Sequence, residues 1–239
     1  MLTVDLTPEV MEETLSSNAG IVVAYHPPIF GGLKSLKLSN PLQNSILTCA
    51  AHGISIYSPH SALDSVYDGI NDWLALGVLE KQENGSVRSL LETDIGPDGA
   101  EGRMVELVDA ITMELLVKRM KAHLGVDHIQ IGCPAVSSGP STPVRTVAIC
   151  AGSGASMLQG KTADVYLTGE MSHHEVLAAV ASGVHVMICG HTNTERGYLP
   201  ILAKKLRNGL DQELREMGTG LAVGEVIVST RDAHPLKVL

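Results

Sequence analysis

Two patterns of apolar and polar positions alternate along the chain: short β-branched runs, and longer segments with apolar residues at helical spacing. The short runs predict strands, and the longer segments predict amphipathic helices. In the first quarter, strands are predicted at MLTVDL, IVVAYH and ISIYSPH, and helices at TPEVMEETLSS and PLQNSILTCAAHG. Thr7 is a suitable N-cap, because Pro8 then occupies the first helical position. This alternation predicts an α/β fold.

The alternation continues to the C-terminus. Helices are predicted at SALDSVYDGINDWLALGV (with a kink possible at Gly69), VELVDAITMELLVKRMKAHLG, SHHEVLAAVASG and TNTERGYLPILAKKLRNGL. Strands are predicted at HIQIG, TVAICAG, ADVYLTG, VHVMICG and GEVIVST. Residues 80–103 are polar and rich in Gly, Asp and Glu, which is typical of a boundary. We therefore expect two α/β lobes with mixed or parallel sheets flanked by helices, residues 1–94 and 95–239. In an alternative topology, the last strand returns to the first lobe.

Composition narrows the class of protein. The 239 residues are 44% hydrophobic and 18% charged, as in a globular chain of one or two domains. A net charge of −9 argues against direct binding to nucleic acid or to a membrane surface. No apolar stretch approaches the roughly 20 residues of a membrane span, and the acidic N-terminus does not resemble a signal peptide. We expect a cytoplasmic protein, with a mitochondrial or nuclear location left open.

The four cysteines lie in apolar runs, and none forms a C-x-x-C pair: Cys49, Cys133, Cys150 and Cys189. This pattern favours buried, reduced thiols over disulfides.

A histidine stands where a buried strand is predicted to end, in the segment AYHPPIF. Pro27 favours an extended backbone at His26, and neither Pro27 nor Pro28 offers an N–H to a sheet. The backbone direction of His26 is therefore restricted, and its imidazole is a candidate ligand or proton carrier.

Two other predicted strand ends share one arrangement of imidazole and carboxylate. His60 and Asp64 lie four positions apart after one strand, and His191 and Glu195 lie four apart after another. Residues at this spacing share a helix face, and open α/β sheets bind ligands at the carboxyl ends of strands. Imidazole with carboxylate is a ligand set for Zn, Fe, Mn or Ni. Capped or surface histidines and ordinary helix pairs are the structural alternatives.

Two further segments carry candidate chemistry. In TGEMSHH, Glu170 could transfer a proton or orient a metal ligand; alternatively, Glu170 or Ser172 caps a helix and the histidines are solvated. In AGSGAS, two glycines could cradle an anion, although a tight turn fits the spacing better.

Four segments, taken together and in this order, carry a family resemblance: AYHPPIF, IYSPHSALDSVYDGINDWLA, ADVYLTGEMSHHEV and GHTNTERGYLP. They resemble the GTP cyclohydrolase I type 2 family, also called the Nif-three-like proteins, in the short eukaryotic form. The resemblance implies two α/β lobes, a cleft between the lobes that holds two divalent metal ions, and a ring-shaped homohexamer.

The resemblance also implies roles for individual residues. His26 and Asp64 would hold one metal, His191 would hold the other, and Glu195 would bridge both. His60 would be a ligand or lie beside the ligands.

Two departures from the family pattern bear on these roles. Many bacterial relatives have a second histidine where this chain has Tyr25, so the number of metals is one or two per chain. Nothing in the chain matches the W-D-N-V-G-L stretch near the usual start of the family, which raises the question whether the first lobe is complete.

Two functions remain open at this point. One is a metal-dependent hydrolase acting on a nucleotide or another phosphorylated, anionic small molecule, with Glu170 or His60 moving protons. The other is a metal-stabilised interaction protein that binds a regulatory protein partner without turnover.

Overall fold

The computed structural model describes residues 1–91 and 99–237. The nine labelled strands in this part of the chain are β1 (Leu2–Thr3), β2 (Ile21–Ala24), β3 (Ser55–Tyr57), β4 (Gly85–Ser89), β5 (Arg103–Thr112), β6 (Gln130–Gly132), β7 (Pro143–Ser153), β8 (Val165–Glu170) and β9 (His185–Ile188). The α-helices are α1 (Pro8–Ser16), α2 (Pro41–Ala51), α3 (Ser61–Ser65), α4 (Ile70–Leu79), α5 (Met113–Leu124), α6 (Ala155–Leu158), α7 (His173–Ala181), α8 (Asn193–Arg196) and α9 (Leu199–Glu216).

The chain divides into two compact units. Unit 1 comprises Met1–His60 and Tyr198–Ala233, and unit 2 comprises Ser61–Gly197 and His234–Leu239. The boundary that the sequence predicts, between residues 94 and 95, lies outside the described residues.

Unit 1 is built on a parallel sheet in the order β1-β2-β3. Its core joins the sheet to α1 and α2, and its buried members are Met1, Leu6, Val10, Met11, Val22, Ala24 and Cys49. Thr7 caps α1, with Pro8 in the first turn, as the sequence predicts. The segment predicted as a last strand pairs with β1 only through an isolated bridge between Leu2 and Val228.

Unit 2 is built on a mixed sheet in the order β4-β5-β7-β8-β9-β6. Strands β7, β8 and β9 run parallel, whereas β4, β5 and β6 join antiparallel. The completely buried residues of the parallel strands include Val147, Ile149, Val165, Leu167 and Val186. Such continuous apolar strands are typical of sheets covered on both faces. The predicted α/β class, with a parallel and a mixed sheet, is confirmed.

Three helix predictions need correction. The segment predicted as one helix, residues 105–125, contains most of strand β5 before α5 begins at Met113. The helix predicted over residues 61–78 is two helices, because α3 ends at Ser65 and α4 begins after Gly69. The possible kink at Gly69 is therefore a complete break. The helix predicted over residues 192–210 is also two helices, α8 and α9, separated at Gly197 and Tyr198.

The cysteines are all free thiols, as predicted. Burial is confirmed for Cys49 and Cys189, but Cys150 is only partly buried and Cys133 is exposed, because it follows the edge strand β6. Over the described part of the chain, every helix is too short or too polar to cross a membrane.

Candidate metal centre

In unit 1, a carboxylate holds the ring of His26. The His26 N–H donates to the carbonyl of Val4 at 3.0 Å, so the backbone stays beside the end of β1 although β2 has ended. On the ring, Nδ1 lies 2.9 Å from Oδ1 of Asp5. Metal-ligating histidines commonly use one ring nitrogen in this way and offer the other to the metal. This contact makes Nε2 of His26 the candidate donor atom for a metal.

Two aromatic rings, those of Tyr25 and His60, lie next to the His26 ring in the same unit. The ring centroids of Tyr25 and His60 lie 4.8 Å and 5.6 Å from that of His26. His60 has φ of +31°, and its N–H donates to the carbonyl of Tyr25 at 3.2 Å. A positive φ is costly for a residue with a side chain. This chain geometry places the His60 imidazole beside His26.

In unit 2, His191 lies between two carboxylates. Its Nδ1 is 3.0 Å from Oε1 of Glu170, and its Nε2 is 3.3 Å from Oε1 of Glu195. The Glu195 side chain is only 2% exposed, so its charge lies in a poorly solvated position. The hydrogen bond to Glu195 is the main reason that the pKa of His191 rises to about 9; burial opposes the rise, and Glu170 adds to it.

The backbone of Gly152 forms one wall of this pair. Gly152 has φ of +61° at a point where the register between β7 and β8 shifts. A methyl group there would lie 2.7 Å from Oε1 of Glu195 and 3.0 Å from Nε2 of His191. Thr194 fixes the contact, because its hydroxyl accepts from the Gly152 N–H at 2.9 Å and donates to the carbonyl of His191 at 2.6 Å. The AGSGAS segment is thus the irregular end of β7 followed directly by α6, and it packs against the His191–Glu195 pair.

Asp64 is placed in the same unit by a buried amide. The Asn71 side chain donates to the Asp64 carbonyl at 3.0 Å and accepts from the Ala151 N–H at 2.9 Å. Asn71 is fully buried, so this link ties α3 to the end of β7. The end of α3 is also held by Arg103, whose guanidinium donates to the carbonyl of Ser65.

The pKa of Cys150 is affected by several acidic groups of unit 2, two of which are candidate metal ligands. Burial, followed by the negative charges of Asp64, Glu101 and Glu195, raises the pKa of this thiol to about 12. Cys150 is therefore protonated at neutral pH when no metal is bound.

Ser172 resolves the alternatives at TGEMSHH. It caps α7 in a capping box with Glu175, whereas Glu170 is the last residue of β8 and bonds to His191. His173 and His174 are exposed and contact one another at 5.3 Å between ring centroids. The structure thus brings Glu170 to His191 and leaves the two histidines at the surface.

Sequence reasoning missed three residues that position the site: Asp5, Asn71 and Thr194. Asp5 could have been found, because it follows β1 as His26 follows β2, and parallel neighbours end at the same edge. The roles of Asn71 and Thr194 depend on contacts with β7 that are distant in sequence.

Each unit contributes donor atoms of the kind that bind a divalent metal. Imidazole nitrogen and carboxylate oxygen are suitable donors, and each histidine has a carboxylate on Nδ1 that orients the ring. Gly152 supplies a wall that no larger residue could form without displacing the donors. The residues therefore fit such an ion.

Comparisons with a family model and with curated proteins agree that the chain is similar to NIF3 proteins. The model of the family described as Duf34/NIF3 (NGG1p interacting factor 3) matches residues 1–221. The protein NIF3 homolog of Schizosaccharomyces pombe is 42% identical, over 100% of this chain and 84% of that protein. NGG1-interacting factor 3 of Saccharomyces cerevisiae is 39% identical, over 100% of this chain and 81% of that protein.

A solved structure agrees on the fold. The Bacillus cereus protein related to NIF3 superposes with a TM-score of 0.78, covering 100% of this chain and 88% of that one, at 18% identity. At that identity the likeness concerns the fold alone. With a family model that spans most of the chain and relatives that match along its whole length, this chain belongs to the DUF34/NIF3 family.

Proposed function

We propose that this chain is a divalent-metal-dependent hydrolase that acts on a nucleotide or another phosphorylated small molecule. The observation that carries the proposal is the His191–Glu195 pair, packed against Gly152 and oriented by Glu170. A buried carboxylate beside an imidazole is costly unless it serves a cation or a proton.

The proposed ligands are His26, Asp64, His191 and Glu195. His26, His191 and Glu195 offer two imidazole nitrogens and a carboxylate oxygen, a donor set that suits Zn, Fe, Mn or Ni. The presence of Asp64 in the set rests on the family resemblance and is supported by the Asn71 link. When bound, a divalent cation supplies positive charge for an anionic substrate and lowers the pKa of water.

Other residues have roles of their own in this proposal. Glu170 orients His191 through Nδ1, and its side chain is 56% exposed, so it can also exchange protons with solvent. His60, beside His26, is the second candidate for proton transfer.

The number of ions per chain depends on Tyr25. This side chain is only 3% exposed and packs against the rings of His26 and His60. A neutral phenol is a poor ligand, so we propose that one site is filled firmly and a second is weak. Glu195 would then bridge the two sites when both are occupied, and Tyr25→His should raise the metal content toward two per chain.

The test of the enzymatic proposal is turnover. Purified, metal-loaded protein is incubated with a panel of nucleotides and phosphomonoesters, GTP included, beside Glu195→Gln protein. Metal-dependent product formation by the wild type, lost in the variant, is expected. No turnover of any compound by metal-loaded wild type would contradict the hydrolase proposal.

A second function is favoured by one specific observation. The S. cerevisiae relative is named for interacting with NGG1, which supports a protein partner for this chain as well. With a net charge of −9, any regulatory role is proposed to run through protein contacts rather than DNA. A homohexameric ring, as the resemblance implies, would repeat such a surface. Partner binding that survives Glu195→Gln, in a protein without turnover, would favour this function.

A further inference from the structure

A second proline-fixed histidine lies in unit 2, in the segment DAHPL. Like His26, His234 directly precedes a proline, which favours an extended backbone. The His234 ring is partly exposed, and its Nδ1 lies 2.9 Å from the hydroxyl of Thr192. Thr192 is the residue directly after His191, so the ring is anchored beside the proposed metal ligand.

The hydrogen bonds at Thr192 favour one tautomer of His234. The guanidinium of Arg196 donates to the Thr192 hydroxyl at 3.0 Å, and arginine can only donate. With one lone pair of its oxygen taken, the Thr192 hydroxyl is suited to donate its proton to Nδ1 of His234. A neutral imidazole that accepts at Nδ1 carries its proton on Nε2.

Nε2 of His234 lies against the chain that follows β9. A methyl group placed on Gly190 would be 3.6 Å from Nε2 of His234, which is van der Waals contact, and Gly190 immediately precedes His191. Nε2 of His234 therefore packs beside Gly190, the residue that precedes the proposed metal ligand His191.

Electrostatics support the neutral form of His234. Burial lowers its pKa first, the positive charges of Arg196 and His191 lower it further, and Glu170 and Glu195 partly oppose them. His234 thus responds to the same charged groups that make up the proposed centre.

We propose that His234 is a substrate-positioning residue: held by Thr192 and Arg196 as the Nε2–H tautomer, it donates a hydrogen bond to an anionic oxygen of the molecule bound at the His191 centre. This inference rests on the proposed function and adds a residue to it. A phosphoryl or carboxylate oxygen is the chemistry that such a donor, with Arg196 nearby, would recognise.

The tautomer is tested first, on metal-free protein. Nitrogen NMR of labelled histidines distinguishes a protonated from an unprotonated ring nitrogen, and His234→Gln assigns the signal. We expect Nε2 protonated and Nδ1 unprotonated at neutral pH. Thr192→Val should give a mixture of tautomers, and Thr192→Ser, which keeps the hydroxyl, should restore the wild-type signal. Protonated Nδ1 in neutral wild-type His234 would overturn the inference.

The contact is tested with inorganic phosphate on metal-loaded protein, by calorimetry. His234→Ala should take up as much metal as wild type and bind phosphate roughly tenfold more weakly. His234→Gln should recover part of the affinity, because its amide can donate from a similar place. The matched control is His128→Ala, an exposed histidine of the same unit, which should behave as wild type.

Two results of this second test would overturn the inference: metal-loaded wild type that binds no phosphate, and His234→Ala with wild-type affinity. Failure of the proposed function has a different signature, namely wild-type protein that takes up no metal while His234 still shows the Nε2–H form.

Discussion

His26 in unit 1 and His191 in unit 2 are oriented by the same device, a carboxylate on Nδ1, and unit 2 adds further groups around its histidine. Asp5 lies 2.9 Å from Nδ1 of His26, and Glu170 lies 3.0 Å from Nδ1 of His191. Within its own unit, His191 also has the buried Glu195 at Nε2 and the wall formed by Gly152.

The shared device has a simple structural origin. Asp5 and His26 follow β1 and β2, whereas Glu170 ends β8 and His191 follows β9; each pair comes from parallel neighbours. Parallel neighbours end at the same edge of a sheet, where α/β proteins place their ligands. A carboxylate after one strand can therefore orient a histidine after the next. The difference between the two regions is that unit 2 adds a buried charge and a fitted backbone.

The largest effect is expected from adding a methyl group at Gly152, where the backbone packs against the His191–Glu195 pair. Gly152→Ala combines a positive φ, which costs roughly 1–3 kcal/mol for a residue with a side chain, with contact against His191 and Glu195. We expect a lower thermal midpoint and loss of metal uptake. The matched control is Gly160→Ala, which has φ of +77° and nothing within 4 Å, so it should lose stability and keep its metal. Equal metal content in the two variants would contradict the role of the wall.

The next largest effect is expected from removing the carboxylates that orient the two histidines, Asp5 and Glu170. Asp5→Asn and Glu170→Gln each replace a carboxylate by an amide of the same shape. Loss of such a partner typically weakens metal binding by about 10–100-fold, and we expect both variants to fall in this range by competition with a chelating dye. Glu175→Gln, at an exposed carboxylate of α7, should bind metal as wild type does. Wild-type affinity in Glu170→Gln would mean that His191 does not need its orienting partner.

The acid sensitivity of unit 1 should arise from Glu13. Burial raises the pKa of this carboxyl, but hydrogen bonds from Ser229, Thr230 and Arg231 outweigh it and lower the pKa to about 2. A lowered pKa stabilises the fold above the unfolded value of 4.5, and this contribution is lost as the pH falls from there toward 2. Thermal midpoints between these pH values should fall less steeply for Glu13→Gln; identical slopes would contradict the assignment.

The smallest effect is expected at His123 in unit 2. This residue should make the stability of the fold depend on pH in a higher range than Glu13 does. Its ring packs on Trp73 at 4.6 Å between centroids, and its buried Nε2 has no hydrogen-bond partner among the described residues. Burial lowers its pKa below 6.5, although a hydrogen bond to the Trp73 backbone opposes this. As the pH falls, His123 takes up its proton at a higher pH in the unfolded chain than in the folded one. The contribution of neutral His123 to the free energy of unfolding is therefore fully present above pH 6.5 and declines below it. His123→Gln should remove this decline, and a persisting decline would point to another group.

Local pattern predicted much of the fold because many elements are determined by nearby residues. The cap at Thr7 and the parallel strands β7 to β9 can each be read from a few neighbouring positions. Strand β5 could not, because its apolar positions also suit a helix, and its state is decided by pairing with β4 and β7.

The same distinction holds for the site. His26, His191, Glu170 and Glu195 are candidates from the sequence alone because their residue types stand at strand ends. Asp5 was missed because its partner lies 21 positions away, so only the pairing of β1 with β2 brings the two together.

The central claim is that the buried carboxylate of Glu195 binds a metal in this protein. Metal content per chain, measured after gel filtration for wild type and Glu195→Gln, tests it most directly, with Glu114→Gln as the exposed control in the same unit. We expect one or two ions per wild-type and control chain and almost none in Glu195→Gln. A folded Glu195→Gln protein with the wild-type metal content would contradict it.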